Sequence, residues 1–302
     1  MEAILAAEPK DLYVFQDGAR EGNEADVVKC QQVRDVINEL TMHRASCAVH
    51  HNYSPINLGC GPGPMTAINW FFENVEQGII FEDDCVAHPD FFLYCESLLQ
   101  KYMDDDQISF IGGCNYGQEL TTNCSYDFGS GHHETWGWAT WKRKWIEFNY
   151  TLEDFDKEEF ARIIKYYYPS IRQQNYWLRI FDVVKENQCN NSCWDYQFYF
   201  SMWRKKRLAI YPRVNLVSNV GMGDDATHTQ CNNPLLSRKF ETIFPLIHPE
   251  RITINRNLDN YLMRQFIIPY EYGWTGIKRL PYKLNSFIKH LVGHQGPWLK
   301  HK

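Results

Sequence analysis

The residues with the clearest chemical potential are three consecutive carboxylates, Glu82-Asp83-Asp84, set directly behind the apolar run Ile79-Ile80-Phe81. Adjacent carboxylates repel, so clustering them costs stability unless a cation or hydrogen bonds compensate. Their oxygens are hard donors suited to Mg²⁺ or Mn²⁺, with a substrate phosphate often sharing the metal. The alternative is a solvated acidic turn. Asp17 follows another apolar run, Leu12-Tyr13-Val14-Phe15, where it either hydrogen-bonds a ligand or caps a turn. Asp195, behind Trp194, lies in a helix first turn; it is either a partner for the helix dipole or a general base. His228 ends the Gly-rich loop 219–228 and is either a metal ligand or a solvated loop histidine.

These residues need a scaffold, and the chain supplies alternating elements. Apolar runs at 12–15, 47–50, 79–81, 108–111 and 208–211 read as short strands. Between them, helical spacing runs from Asp26 to Leu40, from Met65 to Asn74, and from His88-Pro89 to Tyr102, with Pro89 fitting a first-turn position. Strands alternating with helices predict an α/β fold, and in open α/β sheets ligands bind at the carboxyl ends of strands. Residues 114–135 are polar and Gly-rich and read as a loop. The segment Trp136-Gly137-Trp138-Ala139-Thr140-Trp141 follows, with Trp145 close behind. Trp138, Trp141 and Trp145 share helical spacing and read in part as core, whereas Trp136 beside Gly137 is a candidate wall of a sugar pocket. Residues 153–188 read as two helical stretches broken near Pro169, forming a peripheral insertion. The Gly-rich entry at 57–64 lacks dinucleotide spacing, and its two prolines remove N–H donors.

Bulk properties narrow the field. The chain has 302 residues, enough for one large α/β domain or two small ones. A net charge of −6 argues against general nucleic-acid binding. No apolar run approaches the ~18–20 residues that span a bilayer, and the start shows no basic leader. The ten cysteines form no C-x-x-C pair and read as reduced, mostly core thiols of a cytoplasmic protein. From Gly273 onward there are six Lys/Arg and no Asp/Glu on an amphipathic pattern. That tail either rests on the inner face of an anionic membrane or packs on the domain with a basic outer face.

Taken together, Gly78-Ile-Ile-Phe-Glu-Asp-Asp-Cys-Val-Ala-His-Pro-Asp-Phe-Phe resembles the metal-binding segment of GT-A nucleotide-sugar glycosyltransferases, closest to the N-acetylglucosaminyltransferase I group and its bacterial relatives. Gln16-Asp17-Gly18, Glu134-Thr-Trp-Gly-Trp-Ala-Thr-Trp, Trp194-Asp195 and Gly223-Asp-Asp-Ala-Thr-His228 extend the resemblance over roughly residues 10–230. It implies a Rossmann-like mixed sheet flanked by helices, with a GT-A domain over 1–245 and a helical, basic C-terminal part over 246–302. It also implies transfer of a sugar, with inversion, from a nucleoside diphosphate donor such as a UDP-sugar to a glycan or glycolipid hydroxyl in polysaccharide biosynthesis. Asp84 and His228 would hold Mn²⁺ or Mg²⁺; Asp83 would contact ribose or a metal-bound water; Glu82 would hold the local network. Asp17 would read the base, Trp136, Gly137 and Trp138 would lie beside the donor sugar, and Asp195 would be the base.

Two departures accompany the resemblance. The family's first strand is missing ahead of the first helix, which leaves a sheet neighbour unpaired and the nucleotide pocket short of a wall. Relatives carrying Trp-Asp-Asp place the base at the second acid, which here is Tyr196. Two other readings follow: a degenerate relative that binds a nucleotide sugar without turnover, and a metal-dependent phosphoesterase using the same acids.

Overall fold

Nine strands and nine helices are defined among the described residues of the computed structural model, which cover 1–42, 46–115, 122–131, 135–186, 193–221 and 240–264. In chain order they are α1 (Glu2–Ala6), β1 (Asp11–Gln16), α2 (Glu24–Thr41), β2 (Ala48–Tyr53), α3 (Pro62–Asn74), β3 (Gln77–Phe81), β4 (Cys85–Ala87), α4 (Pro89–Lys101) and β5 (Ile108–Gly112). There follow β6 (Tyr126–Gly129), β7 (Gly137–Trp141), α5 (Lys142–Trp145), α6 (Lys157–Tyr167), α7 (Ile171–Glu186), α8 (Asp195–Arg204), β8 (Leu208–Pro212), β9 (Val217–Asn219) and α9 (Arg256–Leu262). Met1–Asp259 forms one compact unit, and Asn260–Lys302 clusters as a second, of which 260–264 are described. Among the described residues no helix is long and apolar enough to cross a membrane. The basic tail lies outside the described residues.

The protein is a mixed α/β structure. Its main sheet has five strands in the order β3-β7-β5-β8-β6, with β5 and β8 parallel and the other pairs antiparallel. Odd positions of β7 face α4: a Cβ on Gly113 would meet both Phe91 and the Gly137 carbonyl, and the Trp141 indole donates to the Leu99 carbonyl at 3.1 Å. Even positions face α8. There Trp138 stacks on Phe110, with centroids 4.8 Å apart and planes within 1°, and on Trp194 at 5.8 Å.

Local sequence explains the helices that cover these faces. The imidazole Nδ1 of His88 accepts from the Asp90 amide at 3.2 Å, Pro89 occupies the first turn, and Phe91, Tyr94, Cys95, Leu98 and Leu99 recur at core spacing. Helices α6 and α7 put Phe160, Trp177 and Phe181 against Phe200 and Trp203 of α8; the Trp177 and Trp203 centroids are 4.8 Å apart.

Several expectations are corrected. Residues 114–135 are not all loop, since β6 lies within them, fully buried. Trp138 and Trp141 belong to a strand despite their helical spacing; only Trp145 is helical. The eight described cysteines are all free thiols, but only Cys95 and Cys114 are buried, because most of the others sit in loops, caps and edges. The β1–β2 pair is a parallel two-stranded sheet of its own, separate from the five-stranded one.

One buried acid anchors α9. Asp259 accepts from the Ser130 amide at 3.0 and 3.2 Å, and Ser130 Oγ lies 2.6 Å from the Tyr168 hydroxyl. Burial pushes the Asp259 carboxyl from the ordinary 3.8 to about 7. The folded chain therefore holds this proton more tightly than the unfolded chain does. The stabilisation is fully present below about 4 and is lost as pH rises through about 7. Asp259→Asn is expected to flatten the fall in thermal midpoint between pH 5 and pH 8 (on the order of one titrating group,). Parallel curves for variant and parent would contradict this.

Candidate active site

The acids end β3 as a tight turn. The Cys85 amide donates back to the Glu82 carbonyl at 3.3 Å, and the chain reverses into β4. Glu82 and Asp84 are half-buried, and Asp83 is exposed. Glu82 is tied to the neighbouring strand, because the Thr135 hydroxyl donates to its Oε1 at 3.1 Å and Phe81 pairs in register with Gly137. Asp84 faces the chain that leaves β9. The Val220 amide donates to the Asp84 carbonyl at 2.8 Å. A Cβ added at Gly221 would fall 2.3 Å from Asp84 Oδ2. Glycine at 221 is therefore what keeps that carboxylate unobstructed. The segment leaving Gly221 leads to Asp224, Asp225 and His228, which lie outside the described residues.

The Asp84 carboxylate is the donor type that a hard divalent cation takes. Among the described residues the Asp84 side chain has one weak hydrogen-bond contact, with the Cys85 thiol at 3.6 Å. Among the described residues no three His, Cys, Asp or Glu side chains converge on one point, so substrate phosphate oxygens would have to complete the shell.

Asp195 opens α8 at a different corner of the same sheet. Trp194, just before it, stacks on Trp138 of β7, the strand whose first residue pairs with Phe81. Burial pushes the Asp195 carboxyl up to about 6, partly offset by the backbone N–H groups of Tyr196 and of Asp195 itself. Around it, burial and then the Asp195 charge raise the Cys193 thiol to about 12, and burial followed by Asp195 also raises Cys60. Cys60 stands at the entry to α3, so the 57–63 loop and Asp195 are neighbours.

Asp17 shapes that loop. Its Oδ1 accepts from the Gly18 and Leu58 amides at 2.9 and 2.8 Å, and its Oδ2 from Leu58 and Gly59 at 3.0 and 2.9 Å. The structure shows Asp17 capping this turn, with both oxygens accepting backbone amides. Asp17→Ala leaves three amides without this acceptor and is expected to lower stability by about 1–3 kcal/mol. A denaturant midpoint unchanged from the parent would refute that.

The tryptophan assignments divide. Trp136 is 7% exposed and Trp138 has no exposed surface, so Trp138 cannot touch a donor sugar. Gly137 lies under Val217 and Phe81. Thr135 and Gly221 carry geometry that sequence reasoning left without a role, although both sit in stretches it singled out.

No protein-family model matches this chain, and no curated protein matches it.

Proposed function

We propose that the protein is a metal-dependent glycosyltransferase of GT-A architecture that moves a sugar from a nucleoside diphosphate donor to a hydroxyl acceptor with inversion. One observation carries the reading. A hard-oxygen turn with an open Asp84 is tied, through β7, to an Asp195 carboxyl poised near 6. Asp84 would hold Mn²⁺ or Mg²⁺, which, when bound, neutralises charge on a diphosphate leaving group. Glu82, fixed by Thr135, orients the turn. Asp195 takes the proton from the acceptor hydroxyl as its oxygen bonds to the anomeric carbon. The bond from that carbon to the diphosphate oxygen breaks, and its electron pair leaves with the nucleoside diphosphate. A base on the face opposite the leaving group gives inversion.

A thermal-shift screen of nucleotide sugars with and without Mn²⁺ tests the proposal. Donor at 100 times Kd adds about 2.7 kcal/mol of stability, provided Mn²⁺ is present. In Asp84→Asn the Mn²⁺-dependent part of the shift is lost. A screen in which no nucleotide sugar raises the midpoint, with or without metal, removes the reading. The separate β1–β2 sheet favours a second reading, a relative that binds a nucleotide sugar without turnover. Hydrolysis of donor in the presence of Mn²⁺ excludes it.

A further inference from the structure

Helix α8 ends on a lysine where glycine is the usual residue. The Lys206 amide donates to the Trp203 carbonyl at 2.9 Å, and the Arg207 amide to the Met202 carbonyl at 3.1 Å. These two bonds form a Schellman closure, which sets the residue past the cap in the left-handed region. Lys206 is there, with φ 55°. Glycine adopts that conformation freely, whereas a residue with a Cβ is strained in it. The closure uses only backbone groups and makes no use of the lysine side chain.

Lys206 instead lines a cavity of about 280 Å³, together with Gln107, Tyr166, Thr253 and Arg256; leucine and isoleucine make the rest of its wall. The Leu208 amide donates to the Gln107 carbonyl at 2.7 Å, so the cavity lies where the parallel strands β5 and β8 begin. Strand β3 runs in the same direction, because β3 and β5 are both antiparallel to β7. The acidic turn follows the last residue of β3. It and the cavity therefore lie at opposite ends of the strands.

Two cations and no acid line this cavity. Lys206 Nζ is 5.8 Å from the centre of the Tyr166 ring, within cation–π reach but without a counter-charge. The Arg256 guanidinium donates to the Tyr167 carbonyl and, at 2.9 Å, to the Tyr166 carbonyl, both neutral acceptors. Among the described residues neither cation has a carboxylate within 4.0 Å. Neighbouring acids are committed elsewhere: Asp106 to Arg143 and Lys144, and Asp259 to the Ser130 amide. Two uncompensated charges at one small cavity match a ligand group with two negative charges. A phosphate monoester carries about −1.5 to −2 at pH 7, whereas a carboxylate carries one.

We propose that this cavity binds the phosphate dianion of a small ligand, with Lys206 and Arg256 as its cations. Gln107, Tyr166 and Thr253 supply neutral donors, and the apolar wall takes the organic body of the ligand. Lys206 is then a residue strained for binding and not for folding. The site is independent of the acidic turn and of glycosyl transfer.

Isothermal titration calorimetry on the 302-residue chain, with EDTA present and ionic strength fixed, tests the assignment. The probes are glucose 6-phosphate and inorganic phosphate, with glucose as control. Both phosphates are expected to bind saturably with Kd on the order of millimolar or tighter, and glucose not to bind. A tighter Kd for the ester assigns the site to a phosphorylated small molecule, and equal values assign it to the free ion. Lys206→Gly is expected to weaken both by about tenfold or more, the effect of losing one charge-assisted contact. Its thermal midpoint in buffer should stay at or above that of the parent, because glycine suits the left-handed cap. Lys206→Asn, which tolerates the same conformation, should reproduce the loss of binding. Absence of phosphate binding overturns the proposal. So does binding that survives both Lys206 substitutions, or that is lost in Asp84→Asn instead.

Discussion

Asp195→Asn is expected to lower sugar transfer by on the order of 10²–10⁴-fold, the contribution of a positioned general base. Asparagine keeps the size and the helix-terminal position but cannot accept the acceptor proton. Donor binding should be retained, because the proposal assigns the donor's diphosphate to Asp84 and not to Asp195. The pH profile adds a signature. Burial raises the Asp195 carboxyl to about 6, and the working form is the deprotonated one. The parent rate should therefore climb tenfold per pH unit below about 6 and level off above it, a limb that the asparagine variant lacks. Turnover within about threefold of the parent would remove Asp195 from the base role.

The second large effect is structural. Trp138→Ala should cost about 3–5 kcal/mol, the usual range for deleting a buried aromatic. Trp138 is fully buried between Phe110 and Trp194, and its indole N–H has no partner among the described residues. Nothing polar is lost with it, so the cost is packing and cavity. At roughly 2–4 °C per kcal/mol, the thermal midpoint should fall by about 10 °C. The same deletion unseats Trp194 and with it the start of α8. Trp138→Phe should keep most of both the stability and the activity. A shift of under about 2 °C for the alanine variant would show that the stack carries little of the stability.

The sequence makes elements legible where local chemistry suffices. Helix α4 shows its first-turn proline and its extent, and both are as read. Strands β3, β5 and β8 follow from short apolar runs. Strand β6 is hidden because it includes Asp127 and Gly129. Asp127 is buried because the Thr122 hydroxyl and the Asn255 amide reach its carboxylate, the latter from far along the chain. For Trp138 and Trp141 the spacing suits helix or strand, and the choice falls to strand because β7 lies between β3 and β5 and pairs with both. Helix α2 shows the converse. Its valines have helical periodicity, yet Val27 and Val28 are 59% and 56% exposed. Periodicity can form the helix, but it cannot supply the surface that would cover it.

By itself, then, the sequence determined which residues can do chemistry: an acidic turn behind an apolar strand, and an aspartate opening a helix. Those features depend on neighbours along the chain, where side-chain type and backbone propensity act directly. Tertiary structure decided which of them are available. It closed Asp17 onto backbone amides, buried Trp138, and set Gly221 beside Asp84 where no side chain would fit. Burial, hydrogen-bond competition and edge pairing depend on segments remote in sequence, and no local pattern reports them.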